Sequence, residues 1–364
     1  LTKTAPVHVA QWGTFITTPE ISSKEATIHL SLKLENKTTS TQLVEAKTQI
    51  FAADDFGKAK GKAITNFLSE NISLNANEKQ TIKSKTLLKN PMLWGIYPQQ
   101  KQNLYVAKTQ IFIAGNQVDE YDTSFGIRKI EFHPTKGLLI NGEKIKIQGV
   151  NQHHDLGALG AAFNVRAAQR QLEMLRELGC NAIRLSHNPP APELLDLTDR
   201  MGFLVIDEVF DSWERKKTPH DFHLIFPDWH EADTRSFIRR DRNHPSIIAW
   251  SFGNEVGEQY TDAAGAKIAQ ELRNIVHEED STRPASASQN FAKPDMPFSK
   301  EMDFMSLNYQ GEGIRDAPAY LHLKGGIRTA PLYPAFQKAF PEKMIVSSET
   351  ASALSSRGSY IFPV

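Results

Sequence analysis

Hydrophobic periodicity divides the chain at about residue 125. Before that point apolar and polar residues alternate in short runs, most clearly in ATIHLSLKLEN (26–36), as in strands with one buried face. The other runs with this period are LVEAKTQIFA (43–52), NISLNANEKQTIKSKTLL (71–88) and LYVAKTQIFIAG (104–115). Clusters of Asn, Gly, Asp and Pro separate the runs. The pattern predicts an antiparallel, immunoglobulin-like β-sandwich over residues 1–125.

From residue 126 onward, strand-like and helix-like segments alternate. Apolar runs such as KIKIQGVN (144–151) are followed by stretches with helical spacing, such as VRAAQRQLEMLRELG (165–179). Further strand candidates are 181–186, 203–208, 246–255, 283–289, 303–310 and 344–349, and further helix candidates are 192–201, 231–243 and 261–279. This alternation favours parallel strands with right-handed crossovers. It predicts a (β/α)8 TIM barrel over residues 126–364 that lacks its last strand and helix.

Composition removes several classes of function. Lys plus Arg and Asp plus Glu are both 42, so the net charge is zero, which disfavours nucleic acid as the main partner. The single cysteine, Cys180, excludes an intrachain disulfide and a CxxC metal or redox site. No apolar run approaches the roughly 18 residues of a membrane span.

The start of the chain indicates a fragment or a processed protein. Residues 1–13 contain neither an initiator Met nor the apolar core of a signal peptide. The compartment therefore stays open, with the periplasm or secretion favoured. Whether the full-length protein is a homo-oligomer also stays open.

Polar and ionisable residues follow every predicted barrel strand. TIM barrels carry their chemistry at the carboxyl ends of the strands, so this concentration on one rim predicts an active site. The rim residues are Asn151, His153, His154, Asp155, Arg184, His187, Asp207, Glu208, Asn254, Glu255, Ser288, Gln289, Asn308, Tyr309 and Glu349.

Two of these carboxylates, Glu255 and Glu349, suit glycoside hydrolysis. Each follows an apolar strand, and the fourth and seventh strands face each other across a barrel mouth. A retaining glycosidase needs two carboxyl groups roughly 5–5.5 Å apart, one as acid and one as nucleophile. The alternative is that each carboxylate is a salt-bridged residue at the end of its strand.

A metal-dependent hydrolase is the rival enzyme class, because His153 and His154 follow the first strand. Such barrels also require imidazoles at the fifth and sixth strands. Here those strands end in Ser288–Gln289 and Asn308–Tyr309, which are poor zinc ligands. In the first half, Trp12, Trp94 and Tyr105 are expected to pack in a core or interface rather than to form a binding platform.

The motifs around these residues resemble family 2 of the glycoside hydrolases over nearly the whole chain. DRNHPSIIAWSFGNE (241–255) is similar to the acid/base signature of that family, and IVSSETASALSSRG (345–358) to its nucleophile segment. The other similar motifs are NAIRLSHNPP (181–190), GVNQHHD (149–155) and FGIRKIEF (125–132). Leu185 and Asn188 depart from the family pattern, in which a small residue and a Tyr are usual.

The resemblance implies a retaining exo-β-glycosidase, with β-galactosidase favoured and β-glucuronidase or β-mannosidase as alternatives. A catalytically silent carbohydrate-binding fragment is the alternative from another class. Family members begin with a jelly-roll domain and continue beyond the nucleophile into an eighth strand, and neither part is expected within these 364 residues. The expected partner is a β-linked oligosaccharide or glycoside.

The resemblance also assigns roles to the rim residues. Glu349 is implied as the nucleophile, Glu255 as the acid/base, Asn254 as the partner of the sugar 2-hydroxyl, and Tyr309 and Arg184 as supports of the nucleophile. Asn151, His153 and His187 are implied as substrate contacts. Of Asp207 and Glu208, one is expected to bind a sugar hydroxyl and the other to form a structural ion pair.

Two expectations concern the segment after the third strand, DEVFDSWERKK (207–217). Several family members bind a metal there through a Glu and a His, but this segment contains no His, so no metal and no cofactor are expected. Trp213 is a candidate for stacking on a sugar, and Trp250 is expected in the core.

Overall fold

The computed structural model describes residues 2–310 and 332–350. The chain divides into two compact units. The first comprises Leu1–Lys129 with the short segments Leu195–Phe203 and Arg239–Ser246, and the second comprises the remaining residues. The predicted boundary after residue 125 stays a prediction.

The first unit contains a β-sandwich, as predicted. One sheet has the order β1-β2-β6, and the other has the order β4-β3-β7-β8 with β5 paired to β3, all pairings being antiparallel. The strands are β1 (Val7–Ile21), β2 (Glu25–Asn36), β3 (Gln42–Ala53), β4 (Ala59–Asn66), β5 (Glu70–Leu74), β6 (Lys79–Lys89), β7 (Tyr105–Ile113) and β8 (Asn116–Phe125).

The alternation seen in the sequence corresponds to the buried face of each strand. In β2 every second residue from Ala26 to Leu34 is buried, and burial of each large aliphatic side chain contributes about 1.5–3 kcal/mol. Trp94 and Tyr105 are also buried, which confirms their predicted packing role. Trp12 is partly buried.

One strand prediction in this unit needs correction. Residues 71–88 form two strands rather than one, because the chain turns over residues 75–78. Asn77 adopts a positive φ of 55° there, which Asn tolerates better than most residues. The strands over Val7–Ile21, Ala59–Asn66 and Asn116–Phe125 were not singled out from the sequence.

The described part of the second unit contains seven parallel strands in the order of the sequence, as predicted for an incomplete TIM barrel. They are β12 (Gly149–His153), β13 (Ala182–Ser186), β14 (Leu204–Glu208), β15 (Ile247–Asn254), β16 (Ala285–Gln289), β17 (Met305–Asn308) and β18 (Ile345–Glu349). The helices are α1 (Val165–Glu177), α2 (Pro192–Met201), α3 (Phe226–Asp241), α4 (Ala263–Glu279), α5 (Pro297–Lys300) and α6 (Tyr333–Ala339). No helix within residues 2–310 and 332–350 has the length and apolar character needed to cross a membrane.

Two boundaries in this unit also differ from expectation. The run 144–151 is not one strand: Glu143–Ile145 (β11) closes a small antiparallel sheet with β9 (Ile130–His133) and β10 (Gly137–Ile140). Helix α3 begins five residues earlier than predicted. Its second residue, Pro227, is compatible with a first helical turn because the N–H it lacks has no partner in that turn.

The register of the barrel sheet brings the strand ends to one rim. Asn151 pairs with Arg184, Glu208 with Ser251, and Asn308 with Glu349. All eight residues of β15 are buried, so the residue that follows them, Glu255, leaves the sheet at the rim.

Candidate active site

Glu255 and Glu349 belong to one hydrogen-bonded cluster at the carboxyl ends of the strands. Asn308 connects the two segments, because its Nδ2 donates to Glu255 Oε1 at 2.9 Å and its Oδ1 accepts from Ser348 Oγ at 2.7 Å. Ser348 directly precedes Glu349 in β18. The structure therefore brings together the two carboxylates that the sequence singled out.

The backbone is left-handed at two of the rim residues, with φ of 45° at Glu255 and 61° at Tyr309. Such conformations are uncommon for residues other than glycine and cluster at functional sites. Backbone hydrogen bonds hold both, since Glu255 N donates to Ser288 O at 2.9 Å and Tyr309 N to Glu349 O at 2.8 Å. Each strand thus ends in a fixed turn that directs a side chain into the rim.

The Glu349 carboxylate is held by two donors. Arg184 Nη1 donates to Oε1 at 2.9 Å, and the Tyr309 hydroxyl donates to Oε2. Burial raises the pKa of Glu349, but the hydrogen bonds from Tyr309 and Arg184 outweigh it and leave the pKa below its usual value. Glu349 is therefore ionised at neutral pH, the state that a nucleophile requires.

Arg184 organises the base of the site, and its side chain is only 5% exposed. Its Nη2 donates to Glu208 Oε2 at 2.7 Å and to Asn254 Oδ1 at 2.9 Å, and its Nη1 reaches Asn151 Oδ1 at 3.3 Å. Burial lowers the pKa of Arg184, but Glu208 and Glu349 raise it above its usual value. The guanidinium thus stays charged between two carboxylates, where its fixed fork suits several acceptors at once.

The orientation of the Asn254 side chain is determined by its partners. Oδ1 accepts from Arg184 and, at 3.1 Å, from Asn308 Nδ2, while Nδ2 donates to Asp211 Oδ1 at 3.0 Å. An amide with donors on one side and an acceptor on the other has only one satisfactory orientation. Nδ2 carries a second N–H, for which the described residues offer no acceptor.

Two histidines stand beside Glu349. The rings of His153 and His187 make an edge contact with centroids 5.2 Å apart, and His187 Nε2 lies 3.8 Å from Glu349 Oε1. Burial lowers the pKa of His153, so this ring is neutral at pH 7 and presents both a donor and an acceptor. Asn151 lies at the same edge, with its Nδ2 donating to Ser348 O at 2.9 Å.

Asp207 and Glu208 are both buried, and Glu208 forms the expected ion pair. Glu208 is fully buried and is the ion-pair partner of Arg184; it also accepts from Ser251 Oγ at 2.5 Å and contacts His187 Nδ1 at 2.6 Å. Asp207 is fully buried as well. Neither carboxylate has exposed surface, so the expectation that one of them contacts substrate is not supported.

The prediction that Trp213 stacks on a sugar is wrong, because its side chain is completely buried and its Nε1 donates to Phe252 O at 2.8 Å. Trp250 is buried as expected. Ser288 and Gln289 are likewise buried beneath the rim.

The cluster also contains polar residues that the sequence did not single out: Asp211, Lys217, Ser251 and Ser348. Lys217 Nζ donates to Asp211 Oδ1 and to Asn254 O, both at 2.7 Å. Asp211 and Lys217 lie in a loop after β14 without a periodic pattern, and Ser251 lies inside a strand. The only available signal was that Asp211 follows the strand end by three residues.

Of the motifs expected to line the site, the second half of the nucleophile segment, residues 351–358, lies outside the described residues. In the part of the chain that is described, no group of three or more His, Cys, Asp or Glu side chains is placed to hold a metal ion. The rim side chains form a hydrogen-bonded cluster around two carboxylates instead.

Comparison with known families matches both halves of the chain. Residues 133–324 match the family described as glycosyl hydrolases family 2, TIM barrel domain, and residues 7–128 match glycosyl hydrolases family 2. The two matches lie on either side of the segment that joins the sandwich strands to the barrel strands.

Individual relatives agree with this assignment. A β-galactosidase of Bacteroides ovatus is 36% identical, covering 100% of this chain and 43% of that protein. A putative β-glucuronidase of Formosa agariphila is 34% identical, covering 74% of this chain and 24% of that protein. A family 2 glycosyl hydrolase structure from Bacteroides cellulosilyticus superposes with a TM-score of 0.81 at 33% identity, over 95% of this chain and 43% of that one. The chain thus spans less than half the length of each.

Proposed function

The chain belongs to family 2 of the glycosyl hydrolases, and on that premise we propose that it carries the catalytic centre of a retaining exo-β-glycosidase acting on terminal β-galactosides. The observation that carries the proposal is the state of the two rim carboxylates. Glu349 is kept ionised by Arg184 and Tyr309, whereas in the described residues the Glu255 carboxylate accepts a hydrogen bond from the Asn308 amide. Two carboxylates in different surroundings suit the two roles of a double displacement.

In the first step, a Glu349 oxygen attacks the anomeric carbon. The bond from that carbon to the aglycone oxygen breaks, and Glu255 gives its proton to the departing oxygen. A glycosyl ester on Glu349 results. Asn254 donates to the 2-hydroxyl through the N–H that remains after its hydrogen bond to Asp211, and His153 and His187 hold further hydroxyls.

In the second step, ionised Glu255 takes a proton from water, and the water oxygen attacks the anomeric carbon. The ester bond to Glu349 breaks, and both carboxyl groups return to their initial states. Two inversions at one carbon give net retention. Arg184 and Tyr309 hold the carboxylate of Glu349 as it becomes the leaving group.

The choice of β-galactoside rests on the relative from Bacteroides ovatus, which matches the whole chain. A β-glucuronide is the second candidate, favoured by the relative from Formosa agariphila, and a β-mannoside is the third. A silent carbohydrate-binding protein would have no need for an arginine and a tyrosine that keep Glu349 ionised.

A substrate screen tests the proposal. The full-length protein is assayed with aryl β-galactoside, β-glucuronide and β-mannoside, and the configuration of the first product is followed by proton NMR. We expect the highest kcat/KM on the galactoside and a β-configured first product. A preference for either other glycoside would overturn the sugar assignment, and an α-configured first product would overturn the retaining mechanism.

A second prediction concerns the hydroxyl of Tyr309. In Tyr309→Phe, Glu349 loses a hydrogen bond that lowers its pKa, so the pKa should rise. Because Glu349 acts only when ionised, activity is lost as pH falls through this pKa, and the acidic limb of kcat/KM should move to higher pH. Loss of a hydrogen bond to a charged group costs about 1.5–3 kcal/mol, so kcat should fall roughly 10- to 100-fold.

The measurement is a pH profile of kcat/KM for both proteins. Tyr260→Phe is the matched control, since Tyr260 is half exposed on the 3₁₀-helical turn Gly257–Tyr260 and packs against Phe291. It should leave the acidic limb in place. An unmoved limb in Tyr309→Phe would contradict the role of Tyr309.

A further inference from the structure

The loop of residues 211–217, which follows β14, is fastened to the segment that carries Glu255. Trp213 Nε1 donates to Phe252 O at 2.8 Å, and Lys217 Nζ donates to Asn254 O at 2.7 Å. Arg215 adds two more hydrogen bonds, from its backbone N to Glu258 Oε1 at 2.7 Å and from Nη1 to Gly257 O at 2.8 Å. These hydrogen bonds fix the position of the loop relative to Asn254 and Glu255.

Asp211 is the first residue of this loop, and in the described part of the chain only one oxygen of its carboxylate accepts hydrogen bonds. Oδ1 accepts from Lys217 Nζ at 2.7 Å and from Asn254 Nδ2 at 3.0 Å. Among the residues that the structure describes, none donates a hydrogen bond to Oδ2, and the side chain is 46% exposed. An oriented carboxylate with one free oxygen is a hydrogen-bond acceptor for a ligand.

Asp211 is ionised and interacts electrostatically with residues of the site. Burial raises the pKa of Asp211, but the hydrogen bonds from Lys217 and Asn254 and the charges of Lys217 and His187 lower it below its usual value. Asp211 also acts electrostatically on His153. The carboxylate is therefore in contact with Asn254 and acts electrostatically with His153 and His187, the residues proposed to hold the sugar.

We propose that Asp211 is a substrate-binding residue that accepts, through Oδ2, a hydrogen bond from one hydroxyl of the terminal sugar, with Lys217 as the positioning residue that holds the carboxylate. This inference rests on the proposed glycosidase function. It supplies the carboxylate contact that the sequence assigned to Asp207 or Glu208, both of which are fully buried. A bound hydroxyl would donate a hydrogen bond to Oδ2, as Lys217 and Asn254 do to Oδ1.

The test pairs Asp211→Ala with substrates that each lack one hydroxyl. kcat/KM is measured for full-length wild type and variant on aryl β-galactosides deoxygenated at position 2, 3, 4 or 6, and on the parent glycoside. The Asp211→Ala variant and the removal of the bound hydroxyl abolish the same hydrogen bond. At that one position, the loss of kcat/KM caused by the variant and the loss caused by deoxygenation should therefore not add. Because the acceptor is charged, we expect about a 10- to 100-fold departure from additivity there.

Two further variants separate binding from folding. Lys217→Met should weaken the coupling to the same hydroxyl without removing it. Glu214→Gln removes a charge from an exposed residue of the same loop and should leave every coupling unchanged. Melting temperatures of all variants, compared with wild type, verify that the fold is intact.

The outcomes are distinct. Additive losses at all four positions, with an active wild type, would overturn the role of Asp211 and leave the glycosidase proposal standing. A wild type that hydrolyses none of the aryl β-galactosides, β-glucuronides or β-mannosides would overturn both.

Discussion

Replacement of Glu349 by alanine should lower kcat by about 10,000-fold or more, the scale on which enzymes lose activity without their nucleophile. The carboxylate is the group proposed to bond to the anomeric carbon, and Arg184 and Tyr309 already keep it ionised. Without it, water or an added anion must attack directly. Azide added to Glu349→Ala with an activated aryl galactoside should therefore restore turnover and yield the glycosyl azide of inverted configuration.

Covalent labelling identifies the same residue independently. A 2-deoxy-2-fluoro galactoside with a good leaving group slows breakdown of the glycosyl-enzyme, and mass spectrometry of the digested protein locates the label. We expect it on Glu349.

Glu342→Gln is the matched control for Glu349→Ala, because Glu342 is exposed and lies just before β18. The activity of Glu342→Gln should stay within about twofold of wild type. Label on any other residue, or full activity in Glu349→Ala, would refute the nucleophile assignment.

Replacement of Glu255 by alanine should produce a loss that depends on the leaving group. General acid catalysis contributes about 100- to 10,000-fold, and that contribution is needed only when the aglycone oxygen must be protonated to depart. Alkyl or sugar aglycones should lose activity over this range, whereas a dinitrophenyl galactoside should retain fast formation of the glycosyl-enzyme. Its breakdown also needs Glu255 as a base, so the intermediate should accumulate and give a burst.

Azide distinguishes this variant from the nucleophile variant. In Glu255→Ala the sugar is already bonded to Glu349, so azide attacks the glycosyl-enzyme and the product should be the azide of retained configuration. The pair of products, retained for Glu255→Ala and inverted for Glu349→Ala, assigns the two carboxylates. Equal losses on all leaving groups, or an inverted azide from Glu255→Ala, would contradict the acid/base role.

Much of the fold was predictable because burial imposes a period. Residues 26–36 alternate since one face of β2 lies in the sandwich core, and the apolar run 247–250 is continuous since both faces of a barrel strand are covered. Predictions of element boundaries were wrong where a turn or a helix start leaves the hydrophobic period of the sequence unchanged. The turn over residues 75–78 and the early start of α3 at Phe226 are both of this kind.

The site was predictable as a set of strand ends, because parallel strands in register bring their carboxyl ends to one edge. That reasoning places Arg184, Asn254, Asn308, Tyr309 and Glu349 together, and the structure has them in one hydrogen-bonded cluster. It does not reveal whether a strand-end side chain is exposed or buried. Glu208 and Trp213 were considered as sugar contacts, and both are fully buried.

The amino-acid order alone therefore determined the two folds, the family resemblance and the candidate carboxylate pair, since these depend on periodicity and short motifs that are local in the chain. Tertiary structure alone decided that Glu208 serves as counterion to Arg184, and that the donors to the Asp211 carboxylate within the described residues, Lys217 and Asn254, both bind Oδ1. These properties depend on distances between residues far apart in sequence and on access to solvent. Both arise only when the strands and loops pack.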